Sequence, residues 1–136
     1  MDRARAFSLL FFAACSIAAT SRSVWDGVYT KAQAGRGLAR YREECAKCHA
    51  ENLMGGEDAP ALAGDEFLPK WTGQTAGDLF ELIRKTMPSE DPGSLSRREY
   101  ADILAYLLGS NGFLAGEKEL GNELAALKEI PIENKR

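Results

Sequence analysis

The stretch that decides the fold is Cys45-Ala46-Lys47-Cys48-His49, in which a histidine directly follows the second of two cysteines. On a helical turn, residues i and i+3 point to nearly the same side, so both thiols can reach the two vinyl groups along one edge of a porphyrin. The imidazole of the next residue then points over the ring toward the iron. This string is the attachment signature of c-type haem, and histidine is a usual proximal ligand of haem iron.

Two other kinds of site contain a Cys-x-x-Cys pair, namely half of a zinc site and a thioredoxin-like redox pair. A structural zinc site takes four ligands, but the chain has one histidine, His49, and a third cysteine only at Cys15. The redox pair is expected in a βαβ unit, and the sequence shows no strand pattern. The residues therefore favour one covalently bound haem c per chain, and a zinc-stabilised binding module stays open as an alternative.

Length and charge limit the remaining classes of function. A chain of 136 residues is typical of one domain. The net charge of −3 and the sequence pI near 5.3 argue against nucleic acid as a partner.

The N-terminus has the pattern of a secretory signal peptide, which we predict at residues 1–19. A short segment with two arginines precedes an apolar run from Ala6 to Ala19, which is too short to span a bilayer comfortably. A retained anchor is the alternative. Cleavage would remove Cys15, so the exported mature chain would keep only the two cysteines of the haem motif and no stable membrane span.

Periodicity and capping signals predict an all-α domain with three to four helices. The first helix is expected from about Thr30 to Cys45, and the second from Thr75 to the residue before Pro88. A capping box at Ser96 predicts the start of the third helix, and a weaker helix is expected over residues 122–129.

Long loops complete the predicted domain organisation. Glycine and proline punctuate residues 50–74, which predicts an irregular segment long enough to wrap a flat cofactor. We expect an N-terminal extension at residues 20–34, the domain itself at residues 35–110, and a C-terminal extension at residues 111–136 that packs on the domain.

Methionine is the candidate that the sequence leaves for the second iron ligand, on the side opposite His49. With no histidine besides His49, bis-histidine ligation within one chain is excluded, and Met1 would leave with the signal. Met54 follows His49 so closely that the chain would have to pass around the ring edge almost at once. Met87 follows a long loop and a helix, and Pro88 fixes the backbone beside it. We therefore expect Met87 to bind the iron and Met54 to be a core methionine.

A histidine and a methionine on opposite sides of the iron predict a carrier of single electrons. The neutral thioether favours the less charged ferrous iron and therefore raises the reduction potential. Because both axial positions are filled, no substrate can reach the metal, and we expect no enzymatic activity.

These residues resemble a class I mono-haem cytochrome c over about residues 37–108, which is most of the mature chain. The matching motifs are Gly37-x-x-x-Tyr41-x-x-x-Cys45-x-x-Cys48-His49, Pro60-x-Leu62-x-Gly64, Met87-Pro88, and the segment from Tyr100 to Leu107. A haem motif combined with a correctly placed Met-Pro is highly specific for this family.

The resemblance implies a close helix crossing. Gly37 and Tyr41 would mark where the first helix crosses the last one, near Ile103 and Tyr106. The absence of a side chain at Gly37 would allow the two backbones to approach each other.

The resemblance also implies roles for residues around the cofactor. The Pro60 carbonyl would accept a hydrogen bond from the far nitrogen of His49 and fix the orientation of the imidazole. Trp71 would donate to a haem propionate or would simply pack against the ring. Lys47 would belong to a docking rim at the haem edge or would be a solvated charge.

The predicted function is an exported electron carrier, expected to be a monomer, between a dehydrogenase donor and an oxidase or another acceptor. The alternatives are a dedicated haem subunit of an exported quinoprotein-type dehydrogenase, and a peroxidase-like or gas-binding haem protein. Mitochondrial members of the family are strongly basic, whereas this chain is acidic. Docking through a large positive face is therefore not expected.

Overall fold

A computed structural model describes residues 22–134 of the chain, and the predicted signal peptide, with Met1 and Cys15, lies outside these residues. The described part is helical and contains no strand, as the sequence predicts. Its α-helices are α1 (Lys31–Glu44), α2 (Ala46–His49), α3 (Leu68–Trp71), α4 (Ala76–Thr86), α5 (Arg97–Ser110) and α6 (Leu124–Lys128), with short 3-10 helices at Val24–Asp26 and Gly64–Glu66. Within residues 22–134, none of the helices combines the length and the apolar composition that a membrane-spanning helix needs.

Side-chain caps fix the starts of the three long helices at the predicted residues. The hydroxyl of Thr30 accepts a hydrogen bond from a backbone N–H in the first turn of α1. Thr75 and Asp78 form a reciprocal capping box at α4, and Ser96 and Glu99 form one at α5. These contacts occupy backbone N–H groups that have no partner inside the helix.

The segment 50–74 is more ordered than the sequence predicts, because it contains the 3-10 helix Gly64–Glu66 and the single turn α3. Pro69 lies in the first turn of α3, where the N–H group that proline lacks is not needed. The two turns bury Phe67 in the main core and pack Trp71 against that core. Apolar burial therefore orders part of a segment that glycine and proline mark as a loop.

Helices α1 and α5 cross at Gly37, as the family resemblance implies. A Cβ atom at Gly37 would overlap the backbone carbonyl oxygen of Asp102, so only glycine allows this approach. One helical turn further, the rings of Tyr41 and Tyr106 pack with their centroids 5.3 Å apart. Tyr41 and Ile103 belong to the same buried cluster.

Both ends of the described chain pack against the domain. Val24 and Tyr29 in the N-terminal segment and Leu127 and Ile132 in the C-terminal segment are buried in the main core. The buried side-chain amide of Gln33 in α1 donates to the Leu120 carbonyl at 2.9 Å and accepts from the Leu120 N–H at 2.7 Å. The C-terminal segment is therefore joined to α1 by polar contacts as well as by apolar burial.

Helix α6 packs on the start of α4. A Cβ atom at Gly77 would lie 2.6 Å from the backbone nitrogen of Lys128, so the two backbones are in close contact. The ammonium group of Lys128 lies 2.6 Å from a carboxylate oxygen of Asp78 and 3.4 Å from one of Glu81. Hydrogen bonds from Lys128 and then from Thr75 lower the pKa of Asp78 from 3.8 to about 2.

The crossing at Gly37 predicts opposite effects for two glycine substitutions in α1. We expect Gly37→Ala to lower the free energy of unfolding by about 3 kcal/mol, because the new methyl group meets the Asp102 carbonyl. The matched control is Gly35→Ala in the same helix, where a Cβ atom would meet nothing within 4 Å. That variant should be about 0.5–1 kcal/mol more stable than wild type. Urea unfolding measures both, and equal effects would contradict the close crossing.

The lowered pKa of Asp78 predicts a pH-dependent contribution to stability. A carboxylate with a depressed folded pKa stabilises the protein above its unfolded pKa, and that contribution is lost as the pH falls through the folded value. Asp78→Asn should therefore cost up to about 1 kcal/mol at pH 6, and the difference from wild type should shrink between about pH 4 and pH 2. The control is Asp65→Asn, because Asp65 is exposed and forms no ion pair within residues 22–134. A pH-independent difference at Asp78 would show that the ion pair is not its cause.

Candidate functional site

A cavity of about 350 Å³ lies between α2 on one side and α4 with the chain leaving it on the other. Its wall is mainly apolar, and it contains all six of the predicted site residues. These are Cys45, Cys48, His49, Pro60, Trp71 and Met87. Five of the apolar side chains that complete the wall are Leu62, Phe67, Leu79, Ile83 and Leu107.

The two cysteines and the histidine are presented by one helical turn. Helix α1 ends at Glu44, and Cys45 is both its C-terminal cap and the N-terminal cap of α2. The backbone N–H groups of Cys48 and His49 both donate to the Cys45 carbonyl, at 3.1 Å and 3.0 Å. Cys45 is half-buried and Cys48 is exposed, and burial raises the pKa of the Cys45 thiol to about 11.

The imidazole of His49 is buried, and its Nδ1 atom lies 2.8 Å from the carbonyl oxygen of Pro60. A carbonyl oxygen can only accept, so Nδ1 carries the proton and the lone pair of Nε2 is free to bind a metal. The hydrogen bond that the resemblance implies is thus present. It orients the ring in the way that metal-bound histidines usually require.

Met87 lies at the end of α4, where the chain leaves the helix in an extended conformation. Its N–H donates to the Ile83 carbonyl at 2.8 Å, and its carbonyl accepts from the Tyr100 hydroxyl at 2.7 Å. The half-buried residue therefore forms part of the cavity wall with its backbone held on both sides. The side chain faces the same cavity as His49.

Met54 is not a core residue, so that prediction was wrong. Its side chain is 54% exposed, and it does not contribute to the cavity wall. The preceding residue, Leu53, occupies the buried position instead; its N–H donates to the Ala50 carbonyl, and its carbonyl accepts from the Leu62 N–H. The N–H of Gly55 then donates to the His49 carbonyl at 2.9 Å and closes this loop, which leaves Met54 on its outer side.

Trp71 is half-buried in α3 and lines the cavity. Its ring packs on Phe67 with the centroids 6.2 Å apart, and packing of Trp71 against the haem ring stays a prediction. The propionate contact that the resemblance implies stays a prediction.

Lys47 is a solvated charge that forms an ion pair, since its exposed ammonium group lies 2.8 Å from the carboxylate of Glu90. Both side chains are highly exposed and line the mouth of the cavity. The pair joins α2 to the loop that follows Met87, and it raises the pKa of Lys47 and lowers that of Glu90. A docking role for Lys47 stays a prediction.

Sequence reasoning named Tyr41 and Tyr100 but missed that their hydroxyl groups hold the walls of the site. The hydroxyl of Tyr41 donates to the Ala50 carbonyl at 2.7 Å and joins the end of α1 to the residue after His49. Tyr100 makes the equivalent contact on the opposite wall, to Met87. The available signal was a tyrosine on an otherwise aliphatic helix face, because a buried hydroxyl needs a partner.

The donor set fits a porphyrin better than it fits zinc. The cavity offers two thiols, one imidazole with Nε2 available and one thioether around an apolar space. Across the part of the chain that the structure describes, no group of three or more histidine, cysteine, aspartate or glutamate residues is arranged to hold a metal ion. The zinc-site alternative therefore finds no support in these residues.

Comparison with known proteins places the chain among haem proteins. A family model described as cytochrome c oxidase, cbb3-type, subunit III matches residues 32–107. A chain of the crystal structure of the sulfane dehydrogenase SoxCD from Paracoccus pantotrophus shares the fold, with a TM-score of 0.55 and 21% sequence identity. The similarity covers 79% of this chain and 61% of that one, which is less than two thirds of its length. No curated protein matches the sequence at a significant level.

Proposed function

The chain belongs to the family of c-type cytochromes that its matching model describes, and we propose that it is an exported one-electron carrier with a His/Met-ligated haem c. Cys45 and Cys48 would hold the haem covalently, and His49 and Met87 would bind its iron from opposite sides. The convergence of these four side chains on one apolar cavity is the observation that carries the proposal. The bound haem supplies the ability to take up and release one electron.

The thiols and the imidazole have distinct tasks in this proposal. Cys45 and Cys48 would anchor the porphyrin to one helical turn, so that its position relative to His49 is set by a single short segment. The hydrogen bond from His49 to the Pro60 carbonyl keeps the proton on Nδ1 and directs the lone pair of Nε2 toward the cavity.

The thioether of Met87 would distinguish an electron carrier from a haem enzyme. A neutral sulfur ligand favours the ferrous state, and it fills the position where a peroxide or a gas would otherwise bind. The peroxidase-like and gas-binding alternatives both require that position to be open.

The apolar walls suit a site that only exchanges electrons. Leu79, Ile83 and Leu107 contribute no polar atoms through their side chains, so few dipoles would reorient when the charge of the iron changes. The same side chains would exclude water from the metal.

A second candidate is a haem subunit or domain that serves one exported dehydrogenase, for instance of the quinoprotein type. The shared fold with a chain of the sulfane dehydrogenase SoxCD favours this candidate, since that protein is described as an enzyme. Either way we propose redox proteins as partners, with a dehydrogenase as donor and an oxidase or another protein as acceptor. Export, through cleavage of residues 1–19, and a monomeric state belong to the proposal for the free carrier.

Covalent attachment predicts that haem stays with the polypeptide after denaturation and acidic acetone extraction. The pyridine haemochrome spectrum of the wild-type protein should be that of a porphyrin with two thioether bonds. Cys45→Ser and Cys48→Ser should each give the spectrum of a haem with one remaining vinyl group. A purified protein that binds zinc and shows no haem band would refute the proposal.

Removal of Met87 tests the proposed axial ligand. We expect Met87→Ala to lower the reduction potential and to open the iron to carbon monoxide. If the wild-type position is open in about one molecule in a hundred, the apparent affinity for carbon monoxide should rise about 100-fold. Met54→Ala is the matched control, because Met54 is exposed and outside the cavity wall, and it should keep the visible spectrum of the wild type. The opposite pattern would identify Met54 as the ligand, and tight binding by the wild-type protein would favour a gas-binding or peroxidase-like function.

A further inference from the structure

Tyr100 joins the two ends of the loop that follows the proposed iron ligand. It lies in the first part of α5, is 1% exposed, and donates its hydroxyl proton to the Met87 carbonyl at 2.7 Å. The same hydroxyl oxygen accepts a hydrogen bond from the N–H of Leu95 at 3.4 Å. One buried phenol therefore contacts the residue before the loop 88–94 and the residue after it.

The loop has few other connections to the rest of the protein. The backbone hydrogen bonds of Asp91 to Pro88, of Ser94 to Asp91 and of Gly93 to Met87 are all local. Beyond the loop, the structure gives the ion pair between Glu90 and Lys47, whose two side chains are highly exposed. Such a pair is screened by water and salt and restrains the backbone weakly.

The backbone of Met87 therefore depends on Tyr100 at the point where α4 ends. Its N–H is held by Ile83 inside the helix, but its carbonyl lies beyond the last turn. Without the phenol, the remaining hydrogen bond to that carbonyl would be the long one from Gly93, at 3.5 Å. Water would compete for hydrogen bonds to the Met87 carbonyl, and the loop 88–94 would gain conformational freedom.

A thioether held by the same chain competes with external ligands through its effective concentration at the metal. A backbone anchor raises that concentration because it restricts where the sulfur can be. We propose that Tyr100 is a positioning residue that keeps the Met87 thioether at the iron by holding the Met87 carbonyl. This inference rests on the proposed function, in which Met87 is the axial ligand.

The test is Tyr100→Phe in the haem-loaded protein, which removes the hydroxyl and keeps the buried ring. We expect the apparent affinity of the ferrous protein for carbon monoxide to rise about tenfold, equivalent to about 1.4 kcal/mol. The reason is that carbon monoxide binds only the fraction of molecules from which the thioether has dissociated. The ferric protein should also lose part of its methionine-to-iron charge-transfer band.

Tyr106→Phe is the matched control. It makes the same chemical change in the same helix, and its ring also packs in the core, against Tyr41. The structure gives the Tyr106 hydroxyl no hydrogen bond within residues 22–134, so carbon monoxide affinity and the charge-transfer band should stay at wild-type values. Haem content, from the pyridine haemochrome, should be equal in the two variants because both keep their rings.

A double-mutant cycle separates positioning of Met87 from a general loosening of the site. If Tyr100 acts through Met87, Tyr100→Phe should add nothing to the carbon monoxide affinity of Met87→Ala. A tenfold rise in carbon monoxide affinity on adding Tyr100→Phe both to the wild type and to Met87→Ala would overturn the inference, because it would show an effect that does not involve the thioether.

The remaining outcomes distinguish the two proposals. If Met87→Ala opens the iron and Tyr100→Phe behaves as Tyr106→Phe does, the role of Tyr100 is refuted and the ligand assignment stands. If Met87→Ala binds carbon monoxide no better than wild type, the ligand assignment is refuted, and the role of Tyr100 is refuted with it.

Discussion

The contact between α1 and α5 at Gly37 is the constraint on which the rest of the structure depends. Helix α1 ends at Glu44, directly before Cys45, so its position sets where the thiols and the imidazole lie. Helix α5 carries Tyr100, which holds the opposite wall at Met87. Gly37 lets the backbones of α1 and α5 meet. The positions of both cavity walls are therefore set by this single helix crossing.

Polar contacts on an apolar cavity give the site its geometry without placing charge inside it. His49 is oriented by the Pro60 carbonyl, the turn after it is held by the Tyr41 hydroxyl, and Met87 is held by Tyr100. In each case an N–H or O–H group of a side chain donates to a backbone carbonyl. A site built in this way can position metal ligands while it keeps the low polarity that suits electron exchange.

The terminal segments, which lie outside the residues that match the family model, also help to position the walls of the cavity. The C-terminal segment packs on α1 through Gln33 and on α4 through Lys128. Since α4 leads directly to Met87, the packing of α6 on its first turn also restrains the helix that carries the proposed ligand. The long-range contacts thus connect the described C-terminal segment to one wall of the cavity.

The sequence by itself determined the all-α fold, the starts of the long helices and the haem motif, because these depend on local spacing and capping. Only the tertiary structure decided which side chains fill the buried positions and which backbone carbonyls accept a hydrogen bond from a hydroxyl group. Leu53 rather than Met54 enters the core, and Tyr100 reaches Met87, because both outcomes depend on how distant segments meet. Periodicity reports the face of a helix, whereas a contact across the fold depends on the relative positions of separate elements.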